Sequence, residues 1–211
     1  MATKYLELMF TEAVRRAQTR YYGNAGHIAG APERDLLSQA EIEFIAARDS
    51  FYLGTVNAQG WPYIQHRGGP RGFLKILDAS TLAFADYTGN RQLLSTGNLA
   101  ENDRVSLFLM DYQHRERLKI LGRARVEEAS RRPELAAQVA DPQMRGSVER
   151  LVLIDVVSFD WNCPKYITPR YTIEDVEASV EPLKTRIAEL EKELRAVQTQ
   201  RHSAKRVGAS N

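Results

Sequence analysis

The amino-acid sequence predicts a mainly β, α+β protein built on an antiparallel barrel of six or seven strands, with flanking helices and a C-terminal heptad helix. Between residues 50 and 160, short runs with strand-like alternation are joined by turn residues. Most of these connections are too short for the helical crossovers of a parallel sheet. On either side of this region, apolar residues recur at helical spacing.

The composition indicates a water-soluble chain with a core of ordinary size, since 43% of the 211 residues are hydrophobic and 27% are charged. No window reaches the roughly 18 uninterrupted apolar residues of a membrane span, and the opening residues lack a signal peptide's apolar run. We therefore expect a cytoplasmic protein with no membrane partner. A net charge of +2 falls well short of the clustered positive surface of a nucleic-acid binder, so we expect no nucleic-acid partner.

Metal and thiol chemistry find little support in the sequence. The single cysteine, Cys163, excludes an intrachain disulfide, and the four histidines lie too far apart for a local metal cluster. We expect no metal. Lys165 places a positive charge near the cysteine, which would lower the pKa of its thiol. We interpret Cys163 as structural and keep thiol chemistry as the alternative.

Two helices are predicted within residues 1–48, which we interpret as a segment that packs on the barrel. Apolar residues from Leu6 to Ala17 fall on one face of a helix that runs to about Arg20. After a glycine-rich break and a loop, Ser38 and Glu41 match a capping box, which predicts the start of a second, short helix.

The barrel itself is predicted within residues 49–170. A hairpin signal at Asn57–Gly60 separates its first two strands. Helices are predicted after Gly89 and at about Arg132–Ala140. The expected strands are Phe51–Val56, Trp61–His66, Gly72–Leu77, Thr81–Asp86, Arg104–Asp111, Leu118–Glu127 and Arg150–Phe159.

The segment 171–211 is predicted to be a helix followed by a frayed tail. Two interpretations stay open for its heptad repeat: the helix packs on its own barrel, or it pairs with a second copy. Pro182 conflicts with one continuous helix and predicts a kink or a separate first helix. The apolar repeat consists of Val176, Val180, Leu183, Ile187, Leu190, Leu194 and Val197.

Two short stretches indicate an anion site. Gly68 and Gly69 interrupt a basic strand and remove side chains where a ligand would approach the backbone. Gly89, Asn90 and Arg91 then follow a strand and open the predicted helix, whose first amides and dipole favour a phosphate. On the local pattern alone, a plain turn and a solvated arginine are the commoner explanations of the same residues.

Three segments between Phe51 and Val126 follow one another in a characteristic order: FYLGTVNAQGWPYIQHRGGPRGFLKILDASTLAFADYTGNR, NLAENDRVSLFLMD and RLKILGRARV. Through these segments the chain resembles the pyridoxamine 5′-phosphate oxidase-like family of FMN-binding split β-barrels, and within it the predicted flavin-nucleotide-binding proteins. A late segment, DWNCPKYITPR at residues 160–170, resembles the C-terminal signature of that branch.

The resemblance implies a set of FMN-binding residues. Arg67 and Gly68 would lie along the flavin, and Asn90 and Arg91 would hold its phosphate. Arg117 falls where the oxidases place a glutamine that reaches the flavin from the other subunit, and a cation there would stabilise negative charge near N1; a charged turn residue is the alternative. His66 and Lys75 complete the set. His66 either faces the flavin or only fills an alternating strand position, and Lys75 would be a further phosphate ligand.

The resemblance also implies a function and a partner. We expect an FMN-dependent oxidoreductase of unknown small-molecule substrate or electron donor, with the flavin in the groove of a homodimer and no side chain acting as nucleophile. A flavin-nucleotide carrier or redox sensor without turnover is the alternative. Oxidation of pyridoxamine 5′-phosphate is less expected, because residues 162–170 replace the segment with which the oxidases grip that substrate.

Overall fold

A computed structural model describes residues 3–89, 91–161 and 164–208, with side chains up to residue 198. The chain forms two compact units, Met1–Thr168 and Pro169–Asn211. The first contains the sheet and most of the helices, and the second contains the long C-terminal helix.

Three helices precede the sheet: α1 Thr3–Met9, α2 Glu12–Tyr22 and α3 Gln39–Ala46. The prediction of one helix from Leu6 to about Arg20 was wrong, because Thr11 has extended backbone angles and its side-chain oxygen accepts a hydrogen bond from the Val14 amide at 3.3 Å. That N-cap starts a new helix. The predicted capping box of α3 is confirmed, with both reciprocal hydrogen bonds between Ser38 and Glu41 present.

Within the described residues, seven antiparallel strands form a single sheet, which confirms the predicted α+β split-barrel fold class. Their order is β2-β1-β5-β6-β7-β4-β3, so β2 and β3 are the two edges and the sheet is open between them. The strands are β1 Ser50–Val56, β2 Pro62–Gly68, β3 Lys75–Asp78, β4 Thr81–Tyr87, β5 Arg104–Asp111, β6 Glu116–Glu128 and β7 Val148–Trp161.

The sheet curls until its two ends share one core. Phe51 of β1 packs edge-on against Phe84 of β4 with ring centroids 5.5 Å apart, although three strands separate β1 from β4 in the sheet. Phe73, in the loop before β3, stacks on the Phe51 ring with centroids 5.5 Å apart. The alternating strands supply the rest of this core, with Leu53, Leu107 and Ile120 fully buried.

Two remaining helices of the first unit lie between strands, α4 Leu94–Glu101 and α5 Pro133–Val139. The prediction that a helix opens at Gly89–Arg91 was wrong. Arg91 and Leu93 have φ angles of 62° and 52°, which belong to the left-handed region and cannot continue a right-handed helix. The helix therefore begins only at Leu94. Similarly, β3 begins at Lys75, three residues after the predicted Gly72, whose φ of 76° marks a turn.

The second unit is one helix, α6, that runs from Ile173 to Gly208. Pro182 was expected either to kink the helix or to end a separate first helix. The second alternative was wrong, because α6 continues through this residue. The expected frayed tail was also wrong up to Gly208. Among the described helices, none combines the length and the hydropathy of a transmembrane span.

Candidate functional site

A cleft of about 540 Å³ opens where the end of β4 meets β2, at the opening of the barrel. Its walls come from β2, the end of β4, the loop and first turn of α4, and the start of β7. The described lining residues are Tyr63, Gln65, Arg67, Asp86, Tyr87, Gly89, Arg91, Gln92, Leu93, Leu94, Ser95, Thr96, Glu149 and Arg150. Three arginines and two carboxylates among them leave a formal charge of +1.

Asp86 holds two of these arginines. Its Oδ1 accepts a hydrogen bond from Nη1 of Arg67 at 2.7 Å, and its Oδ2 accepts one from Nε of Arg150 at 2.9 Å. Burial alone would lower the pKa of Arg150, but the hydrogen bond and charge of Asp86, together with the charge of Glu149, outweigh burial and raise it. Arg150 therefore stays charged, and both guanidiniums are held against one wall of the cleft.

Arg67 keeps unused hydrogen-bonding capacity. Its guanidinium carbon lies 5.2 Å from the centroid of the Phe84 ring, and its Nε is buried with no hydrogen-bond partner among the described residues. A buried donor without an acceptor costs free energy, so an acceptor at this point would stabilise the site.

The β2 strand is tied to α4 at the same place. Ser95 donates its hydroxyl proton to Oε1 of Gln65 at 2.8 Å, and Asn98 donates from Nδ2 to the Thr55 hydroxyl at 2.9 Å. These bonds fix α4 against β2, which lines the cleft, and against its neighbour β1.

The start of α4 offers backbone donors. Its N-cap residue, Leu93, supplies no side-chain hydrogen bond to the helix. The first amides of an α-helix have no acceptor within the helix, and the helix dipole places partial positive charge beside them. Leu94, Ser95 and Thr96, which form the first turn, all line the cleft. This end of the cleft is therefore suited to an anion.

Arg91 lies in the loop ahead of that turn and also lines the cleft. Within the described part of the chain, no carboxylate forms a salt bridge with it. Its left-handed backbone, like that of Leu93, costs about 1 kcal/mol in a residue with a side chain. Such strained residues concentrate at functional sites.

Comparison with protein families gives a clear result. The family model described as pyridoxamine 5′-phosphate oxidase matches residues 37–157, more than half of the chain and every residue that lines the cleft. The chain belongs to this family. No curated protein matches it at a significant level.

Several solved structures resemble this member of the pyridoxamine 5′-phosphate oxidase family in part. HupZ from Group A Streptococcus is 16% identical, with a TM-score of 0.46 over 64% of this chain and 100% of that one. A candidate pyridoxamine 5′-phosphate oxidase from Lactobacillus delbrueckii is 19% identical, with a TM-score of 0.47 over 59% and 93%. General stress protein 26 from Bacillus anthracis is 17% identical, with a TM-score of 0.44 over 56% and 88%.

In this oxidase-family chain, Arg67 and Arg91 both line the cleft. Arg67 lies on β2 and Arg91 follows β4, and these two strands are not neighbours in the sheet. Four strands lie between them, and the curl of the sheet brings their ends together.

The structure separates three other predicted residues from this cleft. His66 lies on the opposite face of β2 from Arg67, and its ring packs edge-on against Tyr52 at 5.6 Å. Gly68 lines a smaller cavity of about 140 Å³ that adjoins Arg67. Lys75, on β3, has its Nζ 3.7 Å from Oδ2 of Asp141.

Among the other predicted residues, Arg117 does not line the cleft. Arg117 lies at the start of β6 opposite Met110, partly buried, and its Nε has no hydrogen-bond partner in the described chain. Asn90 and Cys163 lie outside the described residues. Over those residues, no group of three or more His, Cys, Asp and Glu side chains is arranged to hold a metal ion.

Sequence reasoning missed several residues of the site. Gln65 carried a usable signal, because it lies two residues from Arg67 and therefore on the same face of β2. Asp86 was named only as the end of a strand. Arg150 gave no local signal, since its contact with Asp86 joins residues that are 64 positions apart.

Proposed function

We propose that this cleft binds the phosphate of FMN and that the protein is an FMN-dependent oxidoreductase acting on a small molecule. One observation carries the proposal: Arg67, Arg91 and the first turn of α4 converge on a single cleft in a chain of the pyridoxamine 5′-phosphate oxidase family. The cleft volume lies within the range of small-ligand sites. When bound, FMN would supply the redox chemistry by exchanging a hydride or electrons with the small molecule.

The residues of the cleft suit a phosphate dianion. Arg91 is the arginine whose charge no described carboxylate offsets, and it would provide a bidentate contact. The first amides of α4, which the Leu93 side chain does not cap, would donate to the remaining phosphate oxygens. Arg67 and Arg150, held by Asp86, would add positive charge without having to rearrange.

The other predicted cofactor residues take secondary places in this proposal. Gly68 would lie along the flavin ring, since it adjoins the cleft through Arg67. Asn90 would bind phosphate beside Arg91. Lys75 and His66 would act at a distance from the phosphate, because neither lines the cleft. Arg117 would approach the flavin from the second subunit.

The proposal includes a homodimer with the flavin in its groove, as the family resemblance implies. The outer face of β1 and β2 offers a surface for a second copy, because Tyr52 and Ile64 lie on this face and are 41% and 69% exposed. This face of β2 is the one opposite to Arg67 and the cleft.

Titration of the full-length apoprotein with FMN, followed by quenching of flavin fluorescence, tests the phosphate site. We expect Arg91→Ala to weaken FMN binding by about tenfold or more, the effect of losing one charge-assisted contact. The melting temperature of the apoprotein should change far less. Arg123→Ala is the matched control, because Arg123 forms an exposed pair with Asp103 outside the cleft. Equal FMN affinity in the Arg91→Ala variant and the parent would show that this loop does not bind the phosphate.

Anaerobic reduction tests the activity. The FMN-loaded protein is mixed in turn with NADH, NADPH and pyridoxamine 5′-phosphate, and the visible flavin absorption is followed. Bleaching by one of these identifies the electron donor and supports an oxidoreductase. Tight FMN binding without bleaching by any of them would favour the carrier or sensor. A colourless protein that takes up no added FMN would overturn the whole proposal.

A further inference from the structure

Helix α6 carries a continuous apolar stripe, which we call the α6 seam. Its steps alternate between three and four residues over the whole stretch. Seven of its eight side chains are 46% to 73% exposed. The α6 seam consists of Ile173, Val176, Val180, Leu183, Ile187, Leu190, Leu194 and Val197.

The seam is too narrow for a helix that packs on a globular surface. Such helices usually add apolar residues at one flanking position, which widens the stripe. Here both flanks are polar throughout. The residues on one side are Ser179, Arg186 and Glu193, and those on the other are Glu177, Lys184, Glu191 and Gln198. Two apolar positions in seven, with polar flanks, is the pattern of a coiled-coil interface.

The length of α6 and its proline also favour a coiled coil. The helix has 36 residues, about 54 Å, which is far more than the usual helix of a small domain. Pro182 removes one backbone hydrogen bond from its interior and disfavours the helix in isolation. Pro182 and its lost partner, the Ala178 carbonyl, lie on the side away from the seam. A partner helix along the seam would offset this free-energy cost without contacting Pro182 or the Ala178 carbonyl.

We propose that α6 pairs with the α6 of a second copy of this chain as a parallel, in-register, two-stranded coiled coil. In heptad terms, three of the four a positions are β-branched, namely Ile173, Val180 and Ile187, and the fourth is Leu194. Two of the four d positions are leucines, Leu183 and Leu190, and the other two are Val176 and Val197. β-Branched residues at a with leucine at d favour parallel dimers over larger assemblies. This inference does not depend on flavin binding.

The charges beside the seam select the parallel arrangement. In a parallel pair, Arg186 of one helix faces Glu191 of the other, and no like charges oppose each other. The antiparallel arrangement that buries all eight seam residues would instead bring Arg186 next to its own copy and Glu177 next to Glu191. Arg186 and Glu191 already form exposed pairs within the helix, with Glu189 and Arg195, which are weak and exchange easily.

Disulfide cross-linking of the full-length protein tests the direction. In a Cys163→Ser background, Val176→Cys and Val197→Cys place one thiol near each end of the seam. A disulfide needs Cα atoms within about 7 Å, which equivalent d positions satisfy only in a parallel pair. We expect both variants to form covalent dimers in most of the protein upon mild oxidation. Lys192→Cys, on the outer face, is the control and should form few.

Each other outcome overturns the proposal. In the antiparallel arrangement that buries all eight seam residues, Val176 faces Leu194. Cross-linking of Val176→Cys only when it is mixed with a Leu194→Cys variant would therefore show an antiparallel pair. Dimers from Lys192→Cys at the same yield would show random collision. No cross-linking from either seam variant, with helical content by circular dichroism unchanged, would show that the seam packs elsewhere.

A charge exchange gives an independent measurement. Arg186→Glu should lower the melting temperature of the helical signal, because carboxylates then face each other across the parallel pair. Adding Glu191→Arg should restore it. In an antiparallel pair offset to match charges, Arg186 faces Glu193 and Lys184 faces Glu191, so the double variant would be worse than the single one. That result would overturn the parallel assignment.

Discussion

Arg67 on β2 and Asp86 on β4 form an ion pair, with 2.7 Å between Nη1 and Oδ1, although four strands separate these two strands in the sheet. The pair joins the two sides of the open barrel at the cleft. The second oxygen of Asp86 binds Arg150 of β7, so a single carboxylate orients two cleft arginines. An ion pair that serves only the fold would also stabilise the apoprotein. Adding a phosphate ligand distinguishes this structural role from a role in ligand binding.

Asp86→Asn should destabilise the apoprotein by about 2 kcal/mol, since it leaves two arginines without their carboxylate. The cost is below that of a fully buried pair because the Arg67 and Asp86 side chains keep 19% and 11% exposure. Added FMN should raise the melting temperature of this variant more than that of the parent, because its phosphate replaces the missing charge. Asp103→Asn, which breaks an exposed pair with Arg123, is the control and should change stability by less than about 0.5 kcal/mol. Equal losses in the two variants would contradict the prediction.

Leu93→Gly should be more stable than Leu93→Ala by about 1 kcal/mol. The φ of 52° at this position is left-handed, where glycine escapes the strain that any Cβ incurs. In an ordinary helix the order is the reverse, and Ala17→Gly on the exposed face of α2 should therefore lose about 1 kcal/mol. Urea denaturation of the three variants measures this, and a Leu93→Gly variant less stable than Leu93→Ala would show that the loop is not strained.

Glu41→Gln should reduce stability by about 2 kcal/mol at pH 7 and by progressively less in acid. Burial alone would raise the pKa of Glu41, but hydrogen bonds from Ser38 and from Nε1 of Trp161, the latter at 2.6 Å, outweigh burial and lower it below the ordinary 4.5. A carboxyl with a lowered folded-state pKa stabilises the fold above its ordinary pKa and loses that contribution as the pH falls through the folded-state value. The two proteins should converge below pH 4.5.

Glu43→Gln serves as the comparison for that series. Glu43 is exposed on the same helix and accepts a hydrogen bond from Gln39. Its substitution should change the unfolding free energy by less than about 0.5 kcal/mol at every pH. A difference between parent and Glu41→Gln that stays constant with pH would count against the role of the carboxylate.

Gly122→Ala should cost about 2 kcal/mol. A Cβ at Gly122 would lie 2.7 Å from Cγ2 of Ile154 and 2.9 Å from the backbone oxygen of Asp155, at the irregular step in the β6–β7 pairing. The backbone cannot yield as a flexible side chain would, so the insertion strains the sheet. Gly54→Ala, whose Cβ would meet nothing closer than 3.4 Å, should be nearly neutral in the same thermal denaturation assay. Similar losses at both positions would remove the packing explanation.

The predicted strands show what the local alternation of residues in a sequence can and cannot predict. Alternation identified β1, β2, β4, β5, β6 and β7 to within a few residues, because the side-chain period of two is a property of neighbouring residues. The same reasoning failed at the start of α4. Leucines at helical spacing suggested a helix from Gly89, but the left-handed angles at Arg91 and Leu93 depend on surroundings that the pattern does not contain.

By itself, the sequence determined the α+β class, the capping box of α3 and the seam of α6, since each depends on residues fewer than five positions apart. It also placed Arg67 and Arg91 as candidate ligands through their family resemblance. Only the tertiary structure decided that Gln65 and Ser95 are hydrogen-bonded beside them and that Asp86 binds both Arg67 and Arg150. Those contacts depend on how far a seven-stranded sheet curls, and that curvature arises from the packing of the whole core rather than from any one stretch of chain.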